Sequence, residues 1–192
     1  MNRAPVLRME DPAAAALFRD VLSRQGVAII PCDTIYGLVG GVPESEERIR
    51  LIKGRGEDKP FLILIPDPGR CPDFSPMPVP VELSGFWPGP LTLILPRQGG
   101  GTVALRVPDS PFLRGSMRST GAALFSTSVN RTGCPPLWRE RDIIGEFRDD
   151  VDLILTAGDL EGRMPSTIVD ACLRPFRLVR KGALELPAGL LE

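Results

Sequence analysis

Apolar residues recur along this chain in two alternating patterns, one typical of helices and one typical of buried strands. Helical spacing of apolar residues after Asp11 predicts a first helix that ends before Gly26. The run 27–30 that follows is short, continuous and apolar. It predicts a buried strand, with Asp33 and Thr34 at its end.

The rest of the chain continues this alternation. Helices are predicted at 45–53, 110–119 and 139–147, and further strands at 61–65, 91–95, 103–107, 122–127, 151–155, 167–169 and 176–179. Two of these strands flank the glycine-rich turn 99–101, which favours an α/β (α+β) fold with a mixed sheet wrapped by helices. Segment 66–90 holds eight of the 21 prolines, so we expect an irregular or short-helical surface excursion of the same domain. The length of 192 residues predicts one domain, residues 1–192.

Composition mainly excludes classes of function. The 23 basic and 24 acidic residues give a net charge of −1, which argues against a polyanion binder held by net charge alone. The chain has no histidine, so histidine triads and histidine metal sites are impossible. No apolar run approaches the roughly 18 residues of a membrane span, and charges interrupt the first 25 residues, so we expect no membrane contact and a cytoplasmic location.

Four cysteines are scattered along the chain without any C-x-x-C pairing. They are Cys32, Cys71, Cys134 and Cys172. This spacing indicates neither a zinc ribbon nor a redox dithiol, so we expect four buried free thiols.

Residues 53–60 are the first candidate for chemistry. The chain has no P-loop, but Lys53, Arg55 and Lys59 place three cations on a flexible loop between a predicted helix and a predicted strand. Such a loop can neutralise a triphosphate through its cations and backbone donors. Taken alone, the same charges are more often those of a solvated surface loop.

Two polar stretches and one arginine are further candidates. Residues 126–133 follow a predicted strand and are too polar to continue it, and residues 165–170 present hydroxyls just before another strand. Either stretch is typical of a binding loop or of an ordinary turn or helix cap. Arg106 ends a strand, where it can pair with a carboxylate of a ligand or with one of the protein.

Six motifs together resemble those of a known family. They are Pro31-Cys32-Asp33-Thr34-Ile35-Tyr36-Gly37-Leu38, Lys53-x-Arg55 with Lys59-Pro60, Trp87-Pro88-Gly89-Pro90-Leu91-Thr92, Arg106-Val107-Pro108, Thr127-Ser128-Val129-Asn130 and Pro165-Ser166-Thr167-Ile168-Val169-Asp170. Their order and similar spacing, from about residue 10 to 184, resemble the YrdC/TsaC family of threonylcarbamoyl-AMP synthases. The resemblance implies a YrdC-like α/β domain whose twisted mixed sheet forms one wall of a large, positively lined cleft.

The resemblance also implies a reaction. L-threonine, bicarbonate and ATP would give threonylcarbamoyl-AMP and pyrophosphate, for the threonylcarbamoyladenosine modification of tRNA. This chemistry needs cations and positioning more than a side-chain nucleophile, so a chain without histidine can perform it. Mg²⁺ is expected with ATP, with no protein ligand assigned. Expected partners include tRNA or the downstream tRNA threonylcarbamoyl transferase complex.

The roles of individual site residues are implied by the family resemblance alone. The catalytic set would be Lys53, Arg55, Ser128 and Asn130; ATP would contact Arg55, Lys59, Thr102, Asn130 and Arg180; threonine would contact Thr34, Arg106, Ser128 and Ser166. Arg106 is the expected partner of the threonine carboxylate. The three hydroxyls of the threonine set would serve its amine and its side-chain hydroxyl.

Three positions depart from the family's pattern. Cys32 stands in place of a hydroxyl residue, Gly56 in place of a proline and Thr132 in place of a serine. None of these changes removes a cation. We expect Cys32 to be a packing substitute without nucleophilic function, and Gly56 to loosen the cationic loop. The resemblance is to the short form of the family, so we expect a single domain without the additional C-terminal domain of the long form.

Two other functions stay open from the sequence. The same basic surface suits a non-catalytic RNA-binding module, in which arginines contact backbone phosphates. A related enzyme that adenylates another carbamoyl donor or amino acid would carry the same motifs.

Overall fold

The computed structural model describes residues 3–56, 60–187 and 189–191, and its strands form one mixed sheet. The strands are β1 (Val6–Arg8), β2 (Val27–Pro31), β3 (Tyr36–Gly41), β4 (Leu62–Leu64), β5 (Leu91–Pro96), β6 (Thr102–Arg106), β7 (Leu124–Ser128), β8 (Leu153–Thr156), β9 (Thr167–Asp170) and β10 (Arg177–Arg180). Their order across the sheet is β1-β8-β2-β3-β7-β4-β6-β5-β9-β10. Strand β8 runs parallel to β1 and β2, β4 parallel to β6, and β5 parallel to β9, while the other neighbours are antiparallel.

Helices cover both faces of this sheet. They are α1 (Ala14–Ser23), α2 (Glu46–Lys53), α3 (Val81–Ser84), α4 (Pro111–Thr120) and α5 (Glu140–Phe147), with a 3-10 helix at Pro68–Asp73. Strand β2 alternates between two apolar clusters. Val27 and Ile29 pack with residues of α2 and α5, whereas Ala28 and Ile30 pack with residues of α1 and α4. A strand buried on both faces reads as a continuous apolar run, which is why residues 27–30 predicted it.

The predicted α/β fold with a mixed sheet is confirmed, and two strands were missed. Strand β3 pairs with β2 on one side and β7 on the other, so it lies in the middle of the sheet. Its three glycines concealed it, because glycine is depleted in strands. Gly40 is required there, since a Cβ would lie 2.5 Å from the Cβ of Ser45. Strand β1 has three residues, too few to show a pattern.

Segment 66–90 contains the predicted short-helical structure, and part of it packs into the core. Cys71, Leu83 and Trp87 are buried. The indole Nε1 of Trp87 donates to the carbonyl oxygen of Leu91, 2.6 Å away, at the start of β5. The segment thus approaches the site through Gly89, whose carbonyl oxygen accepts a hydrogen bond from Arg106.

The chain after β10 folds back against β9. The Thr167 hydroxyl donates to the carbonyl oxygen of Leu184 at 2.6 Å and accepts from the backbone N–H groups of Gly182 and Leu184, both at 3.1 Å. A Cβ at Gly182 would overlap the backbone carbonyls of Pro165 and Ser166. Close approach of two backbones therefore explains this glycine.

Replacement of this glycine is expected to destabilise the protein. Gly182→Ala forces the C-terminal segment away from Ser166, and overpacking of this kind costs about 1–3 kcal/mol. Gly85→Ala is the control, because Gly85 has φ −67° and its added Cβ meets no atom within 4 Å. Urea denaturation measures both. Equal midpoints for the two variants would show that the two backbones separate without cost.

Candidate functional site

A cleft of about 280 Å³ is lined by residues from several strands of the sheet and from the segments next to them. Six of the residues singled out from the sequence line it: Thr34, Arg55, Arg106, Ser128, Ser166 and Arg180. A smaller pocket of about 170 Å³ is lined by Lys53, Arg55, Ser128, Asn130, Thr132 and Gly133. Arg55 and Ser128 line both, so the two spaces adjoin. The larger cleft has three arginines and, among its described lining residues, no carboxylate.

A buried ion pair lies at one end of the cleft. Arg106 is 3% exposed, and its terminal nitrogen NH2 contacts Oδ1 of Asp33. Its NH1 donates to Oγ1 of Thr34 and its Nε to the carbonyl oxygen of Gly89, both at 3.2 Å. The second carboxylate oxygen of Asp33 accepts from the backbone N–H of Asp109 at 3.1 Å.

The pairing answers a question that the sequence left open. Arg106 has a carboxylate partner within the protein, Asp33, and three of its five N–H groups are engaged. One N–H remains on each terminal nitrogen. Asp33 was not among the predicted site residues, although its place beside Thr34 at a strand end was the available signal.

Lys53, Ser128 and Asn130 form one hydrogen-bond network. The Lys53 ammonium, at the end of α2, donates to the carbonyl oxygens of Ser128 at 2.7 Å and Asn130 at 2.9 Å, and to Oδ1 of Asn130 at 3.0 Å. All three ammonium N–H groups are used. Lys53 is 3% exposed and lines the smaller pocket, and its three hydrogen bonds hold the Ser128–Asn130 loop.

The proton positions of this network follow from its donors. Lysine only donates, so the Asn130 atom facing it is the amide oxygen. The amide nitrogen of Asn130 donates to the carbonyl oxygens of Arg131 and Cys134. Because Oδ1 only accepts, the Ser128 hydroxyl, 2.6 Å away, donates its single proton to it. Ser128 therefore presents lone pairs to the cleft.

Burial favours the neutral form of the Lys53 side chain. Desolvation, and then the nearby charges of Arg55 and Arg131, lower the pKa of Lys53 to about 8. Burial, and then the charge of Arg50, lower the pKa of Arg55. The guanidinium of Arg55 lies 4.8 Å from the centre of the Phe61 ring and donates to the carbonyl oxygen of Pro60 at 3.0 Å. This contact orients it along the cleft wall.

Arg180 and Ser166 also line the cleft and are hydrogen-bonded to each other. Arg180 comes from the edge strand β10, and its Nε and NH2 donate to the Ser166 carbonyl oxygen at 3.1 and 2.8 Å. Its NH2 also donates to the Ser166 hydroxyl at 3.2 Å. Burial, and then the charge of Arg106, lower the pKa of Arg180. The Oγ1 of Thr92 lies 2.8 Å from the Ser166 hydroxyl, but Thr92 was not among the predicted site residues. In the sequence it appears as one polar residue within an apolar strand.

One described residue of the predicted site lines neither of these two spaces. Thr102, at the start of β6, lines a neighbouring pocket that also includes Phe74 and Arg97. That pocket shares Pro60 and Phe61 with the cleft. Lys59 lies outside the described residues.

All four cysteines are free, but the prediction that all are buried is wrong. Cys32 and Cys71 are buried, Cys172 is half-buried and Cys134 is exposed. Cys134 lies on the turn after Asn130, where it closes a hydrogen bond from its backbone N–H to the carbonyl oxygen of Arg131. Burial raises the pKa of Cys32 to about 12, so its thiol stays protonated near neutral pH.

Comparisons with known proteins identify the family. A family model, Sua5_yciO_yrdC, described as telomere recombination, matches residues 20–182. The chain belongs to this family. A Bacillus subtilis protein named threonylcarbamoyl-AMP synthase is 28% identical over 186 residues, which cover 89% of this chain and 53% of that protein. A Nitrosococcus oceani protein of the same name is 31% identical over 160 residues, 76% of this chain and 86% of that protein.

Solved structures share the fold of this Sua5_yciO_yrdC member. Pyrococcus abyssi Sua5 complexed with L-threonine superimposes with a TM-score of 0.83 at 24% identity, covering 96% of this chain and 58% of that one. At this identity the likeness concerns the fold. The chain spans about half the length of the curated relatives from B. subtilis and P. abyssi.

The described part of the chain contains neither a membrane-spanning helix nor a cluster of metal-ligating side chains. None of its helices is long and apolar enough to cross a membrane. It also brings together no group of three or more cysteine, aspartate or glutamate side chains that could hold a metal ion.

Titration of Lys53 is expected to loosen the Ser128–Asn130 loop. The side chain is charged below its pKa of about 8 and neutral above it, and a neutral amine has two N–H groups for three acceptors. In an NMR titration, the Lys53 ¹³Cε signal and the backbone amide of Asn130 therefore shift together with a midpoint near pH 8.

Lys53→Met is the matched control, since it removes the titrating group and keeps a long side chain. Its loop amides are expected to show no transition near pH 8. A Lys53 midpoint near the ordinary lysine value of about 10.4, with the loop signals constant to that pH, would contradict the prediction.

Proposed function

We propose that this chain is an L-threonylcarbamoyladenylate synthase, which condenses L-threonine, bicarbonate and ATP into threonylcarbamoyl-AMP and pyrophosphate. The observation that carries the proposal is the convergence of Lys53, Arg55, Ser128 and Asn130 beside a cleft that contains Arg106 and Arg180. Relatives named threonylcarbamoyl-AMP synthase support it.

The reaction has two bond-forming steps. The neutral amine of threonine attacks the carbon of bicarbonate, forming the N–C bond of a carbamate with loss of water. A carbamate oxygen then attacks the α-phosphorus of ATP and breaks its bond to the bridging oxygen, so pyrophosphate leaves. Charge develops on phosphate oxygens in the second step, and fixed cations stabilise it. No protein nucleophile is needed, in agreement with the high pKa of Cys32.

The cleft and the pockets beside it suit the two organic substrates. Threonine is assigned to Thr34, Arg106, Ser128 and Ser166, where two N–H groups of Arg106 remain for its carboxylate. ATP is assigned to Arg55, Lys59, Thr102, Asn130 and Arg180. The pocket of Thr102 adjoins the cleft at Pro60 and Phe61, which allows one extended nucleotide to contact both spaces.

Lys53 acts mainly by holding the Ser128–Asn130 loop in place. Its three N–H groups all donate to oxygens of Ser128 and Asn130, so it fixes the loop that carries both residues and adds positive charge behind it. Mg²⁺ enters as part of the ATP substrate, held by the phosphates. The expected consumer of the product is the enzyme complex that modifies tRNA. The free thiols suit the reducing cytoplasm as the compartment.

Pyrophosphate release tests this function. It is expected to require ATP, bicarbonate and an amino acid together, with threonine preferred over serine by about 10–200-fold, since one methyl contact supplies about that discrimination. Valine is expected to be nearly inert, because the hydroxyls that meet the threonine side chain would be left unpaired. Release that is independent of the amino acid would contradict the proposal.

Substitution of the cationic residues gives a second test of the proposed function. Arg55→Ala is expected to lower turnover by about 10²–10³-fold, as for other preorganised electrostatic groups. Arg24→Ala is the control, because Arg24 pairs with Asp20 on the exposed side of α1. A Lys53→Ala/Arg55→Ala protein with unchanged release would contradict the assignment. RNA binding that falls steeply with salt, without pyrophosphate release, would instead favour the RNA-binding module.

A further inference from the structure

Two hydroxyls of the cleft, Ser128 and Ser166, have hydrogen-bond partners that fix where their protons lie. Ser166 is 2% exposed, and its Oγ lies 2.8 Å from Oγ1 of Thr92 and 3.2 Å from NH2 of Arg180. The Arg180 nitrogen is a donor, so Ser166 accepts that bond. The direction of the bond to Thr92 decides what Ser166 offers to a ligand.

The hydrogen bonds available to the Thr92 hydroxyl determine the direction of its bond to Ser166. Thr92 is 1% exposed on β5, and Ser166 is the hydrogen-bond partner of its hydroxyl among the described residues. If Ser166 donated to Thr92, the Thr92 proton would be buried without an acceptor, and an unsatisfied buried donor costs about 1–3 kcal/mol. Thr92 therefore donates to Ser166.

The Ser166 hydroxyl therefore has a fixed hydrogen-bond polarity, which means that it can only donate toward the cleft. A serine hydroxyl has two acceptor lone pairs and one proton. Thr92 and Arg180 occupy the two lone pairs, which leaves the proton as the one hydrogen-bonding group that Ser166 can offer to the cleft it lines. Its ligand atom must then be an acceptor, so an ammonium group is excluded.

Ser128 has the opposite polarity. Its proton is donated to Oδ1 of Asn130, so it offers lone pairs to the same cleft. Lone pairs accept from an amine and repel a carboxylate. One cleft thus contains a hydroxyl that donates and a hydroxyl that accepts.

We propose that Thr92 is a positioning residue that makes Ser166 an obligate donor, and that the amino acid binds with its amine at Ser128 and an oxygen at Ser166. The proposal rests on the proposed function, because it orients the amino acid of that reaction. It also narrows the roles expected from the sequence, where either hydroxyl could have met the amine. The orientation places the amine beside Lys53 and Arg55, the cations that adjoin Ser128.

Two variants of Thr92 test the positioning role. Thr92→Val keeps the shape and removes the donor, so the KM for L-threonine is expected to rise about two- to tenfold, with the KM for ATP unchanged and kcat little changed. Thr92→Ser restores the donor and is expected to restore the KM. A purely structural role would change the parameters of both substrates and would not separate the two variants. An unchanged threonine KM in Thr92→Val overturns the proposal.

A competitor identifies the oxygen at Ser166. L-2-aminobutyrate has the carboxylate and amine of threonine without the hydroxyl. If Thr92→Val weakens its inhibition as much as it weakens threonine binding, the oxygen belongs to the carboxylate. If inhibition is unchanged while threonine binding weakens, the oxygen is the side-chain hydroxyl.

Neutron diffraction tests the proton assignment without any assay of activity. In deuterium-exchanged wild-type protein, the deuteron between the two hydroxyls is expected on Thr92 Oγ1, directed at Ser166. A deuteron on Ser166 directed at Thr92 overturns the inference. Wild-type protein that shows this deuteron but no turnover with threonine would contradict the proposed function and leave the assigned polarity in place.

Discussion

The buried contact between Asp33 and Arg106 joins the segments from which the cleft is built. Asp33 follows β2, Arg106 ends β6, and the further hydrogen bonds of the pair reach Thr34, Gly89 and Asp109. Breaking such a pair by removing one partner typically costs about 3–5 kcal/mol, because the other charge is left buried. The pair therefore restricts how the three segments at 33–34, 89 and 106–109 can move relative to one another.

The same pair sets the electrostatics of the site. Asp33 balances one arginine where desolvation would otherwise penalise it, while Arg180 and Arg55 remain as cations along the cleft. Among the described residues, Lys53 pairs with no carboxylate and is held by three oxygens of one loop. Fixed dipoles and cations of this kind act on developing charge without reorganisation. The site is thus organised for electrostatic stabilisation.

Much of the fold was predictable because strongly apolar runs dominate it. Strand β2 is buried on both faces and was evident, whereas β3 lies equally deep but half of its six residues are glycines, which are typical of a loop. The residues of the proposed catalytic set were selected from the order of their motifs. Its partners were not, because the contact of Arg106 with Asp33 spans 73 positions and that of Thr92 with Ser166 spans 74. Only the pairing of distant strands brings them together.

The affinity of an Arg106→Lys variant for its two ligands tests most directly that Arg106 anchors the amino acid. Lysine keeps a charge beside Asp33 but lacks the two N–H groups that the guanidinium has left. Isothermal titration, on protein shown to be folded by its thermal melt, is expected to give a Kd for L-threonine that is about ten- to hundredfold higher, with a much smaller change for ATP. Unchanged threonine affinity beside weakened ATP affinity would contradict the account and place Arg106 at the nucleotide.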